Sequence, residues 1–363
     1  MLTPDRRAVL LGLAGTALAS ATARATPALT EVFASGLVIN GVATSRDGRL
    51  FLPVQPAAPG ESAQVVEVRA GQPVAWPDAH WNGWRPGMDG ADRFVGVNAL
   101  RIGPDGDLWV VDRGGPGIGK PLAPHGPKLL RFDLASGRLA RSYDLGAVML
   151  PWSFVDDVRF NGRCAYLTDA GDPGLIVLDL DSGRGRRVLQ GHPSTVAQTP
   201  LVAEGRPLRD AKGDPVVIHA DQLEISPDGR WFYYQPSNGR LSRIETRFLD
   251  DPALSDAELG RHVERFADTP STGGTAIDAN GTIYLSDTDR SRILTISPTG
   301  RIATLIADPR LVWVDAMWID DHGNLLMPAS QLNRTAGLHD GTSVVRPPIV
   351  LYSLALGVKA VRR

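Results

Sequence analysis

One turn, written six times, constrains this chain more than any other feature. Asp47-Gly48, Asp105-Gly106, Asn161-Gly162, Asp228-Gly229, Asn280-Gly281 and His322-Gly323 each precede a short run rich in apolar and aromatic residues. Glycine accepts positive φ, and Asn or Asp tolerates it, so these dipeptides build tight hairpins. The copies recur roughly every fifty residues, the spacing of a repeat architecture. A second hairpin follows most of them. Leu129–Asp133 turns at Ser136-Gly137, Leu175–Asp179 at Ser182-Gly183, Ile293–Ile296 at Thr299-Gly300, Ile349–Tyr352 near Gly357 and Val65–Val68 at Gly71. Two hairpins per repeat make a four-stranded sheet. Six such sheets predict an all-β, six-bladed β-propeller. Two stretches interrupt the pattern: a long loop from Gly191 to Ile218, and a capping box, Ser255 to Glu258, that opens a short helix. The last blade has two candidates for its outer strand, Thr30–Phe33 and Val358–Val361.

The first 25 residues read differently. Asp5-Arg6-Arg7 precedes a short apolar run, and Ala23-Arg24-Ala25 closes it, the pattern of a cleaved signal peptide. The paired arginines point to the twin-arginine export route. The expected product is a single propeller domain, residues 26–363, periplasmic or secreted and off the membrane once the leader is cut.

Composition narrows the partners. The net charge of −2 and the lack of a Lys/Arg block argue against nucleic acid. A single cysteine, Cys164, excludes an intrachain disulfide framework and any cysteine-built cluster within one chain. Gly114–Lys120 imitates the start of a phosphate loop, but Pro121 follows and no helix pattern does. No G-x-S-x-G elbow is present. A small molecule is the expected ligand.

The repeat aligns polar residues. Eight positions before the turn glycine stand Asn40, Asn98, Asp221, Gly273 and Asp315, with Asp156 as the equivalent in the shorter third turn. In a propeller these positions begin the innermost strands, so their side chains can converge on the axis. Clustered carboxylate and amide oxygens are what a hard divalent cation such as Ca²⁺ takes. Asn40, Asn98, Asp156, Asp221 and Asp315 are therefore candidate metal ligands; capping of strand entries is the bland alternative. Asp221 is the candidate base, with His219 two residues before it as a proton carrier. Asp112, Asp169 and Asp287 end second strands and are expected near the same mouth, as ligand-binding groups or Asx turns. Trp81, in a loop with Trp76, Trp84 and His80, is a candidate to cover a ligand or to pack between blades.

Several of these stretches resemble the major royal jelly/yellow protein family. They are Val97–Asp112, Phe154–Asp157, Ala165–Gly171 with Gly174–Asp179, and Val314–Leu325 with Ser330–Arg334. The resemblance implies a six-bladed propeller with an axial ligand cavity, and either dopachrome-type pigment chemistry or binding of biogenic amines. The polar ring is similar, in blade order, to the gluconolactonase/regucalcin-like propellers. There a glutamate, two asparagines and an aspartate face a divalent metal, and the aspartate is the base. Asn40 stands for the glutamate here and Asp156 for one asparagine. The leading expectation is a metal-dependent lactone or ester hydrolase. A binding protein for aromatic amines and a dopachrome-type tautomerase are the alternatives.

Overall fold

The computed structural model describes residues 28–58 and 60–361. The leader expected at 1–25 lies outside the described residues. All six turn glycines hold positive φ, from 58° at Gly162 to 85° at Gly106, so each hairpin folds where the sequence placed it.

Six four-stranded antiparallel sheets form the ring. Their inner strands are Ala43–Thr44, Val97–Ile102, Val155–Asn161, Ala220–Ile225, Thr275–Ile277 and Trp318–Ile319. The sixth blade takes its outer strand from the other end of the chain: Thr30–Ser35 pairs with Ile349–Ala355, Thr30 opposite Ser353 and Ser35 opposite Ile349. This settles the choice between the two candidates. The C-terminal tail crosses instead to blade five, where Ala360 bridges Asp278. The capping box is present, and the helix it starts spans Asp256–Gly260.

The apolar core lies between blades rather than on the axis. Phe51, Trp76 and Phe132 join blades one and two. Trp109, Tyr143 and Phe160 join two and three. Tyr166, Phe232 and Tyr234 join three and four. The axis itself is polar. A belt of buried side chains crosses it: Arg101 grips Asp157 through Nε at 3.0 and 3.1 Å, and Arg159 reaches Asp157 at 2.8 Å. Arg159 also forks onto Glu224 at 2.9 and 2.8 Å, and Thr275 donates to Glu224 at 2.9 Å. Blades two to five are thereby tied at their inner strands. Beyond the belt, at the far mouth, lies a 70 Å³ cavity whose walls include Ile102, Phe160, Ile225 and Ile277.

The loop predicted at 191–218 is a strap. Its small hairpin, Val202–Ala203 with Arg206–Pro207, extends over blade five to blade six. Val202 N–H donates to Ser271 at 3.0 Å, and Glu204 accepts from Asn333 at 2.6 Å. Leu201, Ala203, Leu208 and Val216 pack on Trp313. The strap therefore lies at the end where the inner strands begin.

Candidate functional site

Three consecutive inner strands carry a β-bulge at their start. The register shifts between Val97 and Ala99, between Val155 and Val158, and between Ala220 and Gln222. A bulge inserts one residue that the ladder does not pair, and so re-aims a side chain. Asn98, Asp156 and Asp221 sit at these bulges. Asn40 and Asp315 occupy the matching positions of blades one and six. Blade five contributes only Gly273, where a Cβ would stand 2.5 Å from the Val314 carbonyl.

The structure brings Asn40, Asn98, Asp156 and Asp221 into one chain of contacts, with Asp315 held separately. Asn40 Nδ2 donates to the Asn98 carbonyl at 2.9 Å. Asn98 Nδ2 donates to Asp156, at 3.1 Å to its carbonyl and also to its carboxylate. The Asp156 and Asp221 side chains approach each other closely enough for a proton on one to be shared with the other. Asp221 accepts from Ser237 and, at 2.9 Å, from Gln222. Asp315 accepts from the Trp313 indole at 3.0 Å and from the Ala316 N–H at 2.8 Å.

Arg113, absent from the sequence-based candidates, completes the site. Its Nη1 donates to Asn98 Oδ1 at 2.9 Å and to Gln55 at 3.1 Å, and its guanidinium stacks over Phe154. Sequence reasoning passed over it because it follows the second strand's terminal Asp112 and belongs to no row of the repeat. Gln55, which also donates to Asn40 Oδ1 at 2.9 Å, carried no signal either.

Burial sets the protonation of this cluster. It pushes Asp156 well above the carboxylate range, and neighbouring Asp221 pushes it further. Burial also raises Asp315, with Asp156 adding to the effect. Asp221 is pushed up to about 6 by burial, while bonds from Asp156 and Ser237 hold it back. Asp156 is therefore the acid of the pair and Asp221 the anion. Burial lowers Arg113 to about 10, so it stays charged at neutral pH.

The raised carboxylates fix a stability trend. The folded state binds more protons than the unfolded chain over the interval above pH 3.8, the ordinary aspartate value. Stability contributed by this cluster thus falls as pH rises, through about 6 for Asp221 and beyond that for Asp156 and Asp315. Asp156→Asn keeps a donor to Asp221 without needing a proton. The variant is expected to lose less melting temperature than wild type between pH 5 and pH 8 by calorimetry. An equal loss in both proteins would count against the shared proton.

The other candidates are engaged in different bonds. Asp112 is fully buried and accepts from Val95, Gly96 and Gly114 N–H and from Lys128 Nζ. Asp169 accepts from Phe154, Gly171 and Asp172 N–H and from Arg187. Asp287 accepts from Asp289 and Arg290 N–H and from Arg292. All three carboxylates hold the turn after the second strand. Trp81 packs on Phe94 and Phe132, between blades. His219 Nδ1 accepts from Ala197 N–H of the strap at 3.1 Å, and no hydrogen bond joins it to Asp221 among the described residues.

The sequence model of the major royal jelly protein family matches residues 95–361, most of the chain. The chain belongs to that family. No curated protein sequence matches it. Among solved structures it is similar to a gluconolactonase from Xanthomonas campestris, at 15% identity and TM-score 0.55, with 90% of this chain and 89% of that one covered. A luciferin-regenerating enzyme gives 13% identity, TM-score 0.53 and coverage of 93% and 99%. A streptogramin B lyase gives 11% identity, TM-score 0.50 and coverage of 90% and 97%. At these identities the likeness shows the fold, on which unrelated chemistries are built.

The donor set of this royal-jelly-family site can be tested against a divalent cation. Asn98 turns its oxygen to Arg113 and its N–H to Asp156; flipping the amide would set N–H against guanidinium. Asn40 turns its oxygen to Gln55. Among the described residues no group of three or more His, Cys, Asp or Glu is placed to hold a metal ion. In this arrangement the residues do not fit the cation; Arg113 supplies the positive charge.

Proposed function

We propose that the axial site hydrolyses a small lactone or ester, with Asp221 as general base and Asp156 as general acid. The reading is carried by the approach of the Asp156 and Asp221 carboxylates near Arg113, with both carboxyls raised above their usual range; on this reading the pair shares one proton. Asp221 takes a proton from water as its oxygen bonds to the carbonyl carbon. Asp156 gives its proton to the departing oxygen, and Arg113 offsets the negative charge that builds on the carbonyl oxygen. Asn98 spaces Arg113 from Asp156, so the cation does not simply neutralise the acid. A gluconolactonase of the same fold makes lactones the first substrates to try. The periplasm is the proposed location, on the strength of the leader sequence.

The test is a panel of aldonolactones and aryl esters, assayed from pH 4.5 to 9 with and without EDTA. Expected is hydrolysis whose kcat falls below about pH 6, as Asp221 takes up its proton, and which chelation leaves unchanged. No turnover of any panel member overturns the proposal. Activity lost to EDTA and restored by Ca²⁺ would return the site to the metal-dependent reading. A second reading is that Asp221, the anion of the pair, accepts the ammonium of a ligand. Calorimetric heat with aromatic amines, together with no hydrolysis, selects a binding protein.

A further inference from the structure

A second group of reactive side chains lies away from the axis, where the first turn of the strap meets blade four. Ser194 Oγ stands 2.7 Å from His192 Nδ1 and 2.7 Å from the Tyr234 hydroxyl. His192 and Ser194 border a 230 Å³ cavity whose wall also includes Asn238, Arg240 and Arg265. None of these residues takes part in the axial chain.

The bonding fixes the roles. The backbone N–H of Ser194 donates to His192 Nδ1 at 3.2 Å, so that nitrogen carries the lone pair. The Ser194 hydroxyl therefore donates to it as well. Tyr234 is buried, and burial pushes its phenol well above its usual range, so it remains protonated and donates to Ser194 Oγ. Burial also lowers His192, which keeps the imidazole neutral near pH 7. The ring is held against Gly260, where a Cβ would stand only 3.2 Å from His192 Nε2. A hydroxyl bonded to a neutral imidazole, with a phenol to support the developing alkoxide, is the arrangement of an activated nucleophile.

We infer that Ser194 and His192 form a second, serine-nucleophile site that accepts the acyl group of a small, anionic ester. Ser194 Oγ bonds to the ester carbon while its proton passes to His192 Nδ1. The bond to the alcohol oxygen breaks, and that oxygen leaves with the proton from His192. Water, deprotonated by His192, then releases the acid and restores the serine. The preference for an anion comes from the cavity wall. Arg240 bonds only the neutral Gln198 amide among the described contacts, at 3.2 Å, whereas Arg265 is paired with Asp268.

The test is covalent labelling of the whole mature chain with diisopropyl fluorophosphate, read by intact mass and peptide mapping. Expected is one adduct on Ser194, absent in Ser194→Ala and formed at least about tenfold more slowly in His192→Ala. The adduct should form equally fast in Asp221→Asn, which separates this site from the axial one. No adduct on Ser194, or a rate indifferent to His192, overturns the inference. The anion preference is read by comparing acylation by 4-nitrophenyl hemisuccinate and 4-nitrophenyl acetate. The hemisuccinate should react faster, and Arg240→Ala should erase the difference; equal rates in wild type overturn the assigned substrate class.

Discussion

Replacing Asp157 with alanine should destabilise the protein by about 3–5 kcal/mol, the cost of leaving buried charges without their partner. Asp157 is 5% exposed and Arg101 equally so. Asp157 accepts from Arg101, from Arg159 and from its neighbour's N–H at 2.7 Å. Against the upward push of burial, the charges of Arg101 and Arg159 and their bonds hold its carboxyl far below the usual carboxylate range. Without it, Arg101 keeps, among the described residues, the Met317 carbonyl at 3.1 Å, a neutral partner for a buried charge. Arg159 retains Glu224, so the loss concentrates between blades two and three. The comparison is Asp181→Ala, which removes an exposed contact to Arg163 at 3.7 Å and should cost less than about 1 kcal/mol. Urea unfolding of the two variants measures the contrast, and similar midpoints would show that the belt is not what holds the inner strands.

Asp221→Asn should lower kcat on the best lactone or ester by about 10²–10⁴-fold with little change in KM, because it removes a proton acceptor and leaves the site's shape. The amide still accepts from Ser237 or Gln222, so the far end of the chain stays anchored. Asp156→Asn should cause a loss of the same order. The double variant should lose little more than either single one, since the two carboxylates act as one proton-holding unit. Steady-state kinetics across the four proteins checks this. Additive losses would mean two independent groups, and an undiminished Asp221→Asn would place the base elsewhere.

Much of this architecture is legible in the sequence. The turn glycines announced it because positive φ is a local demand that few residues meet. The row from Asn40 to Asp315 was legible because each blade repeats the same strand entry. Asp112, Asp169 and Asp287 form an equally regular row, yet their carboxylates hold backbone amides of the following loop. A period reports that positions are equivalent; it does not report which way a side chain turns. The bulges make that difference at Asn98, Asp156 and Asp221, and an extra residue in one strand leaves no mark on the turn spacing. Arg113 was hidden for another reason. It acts through Asn98 and Gln55, which are remote from it in sequence, and only closure of the ring brings the three together. The same closure put Asp157, quoted only within a family motif, at the centre of the ionic belt.

The outer strand of the sixth blade comes from residues 30–35 and its other three from residues 318–355. A circle fastened this way cannot be sealed by a nascent chain until the last strand has left the ribosome. A product cut short anywhere before Ile349 would leave the first segment without its partner and the apolar flanks of neighbouring sheets facing water.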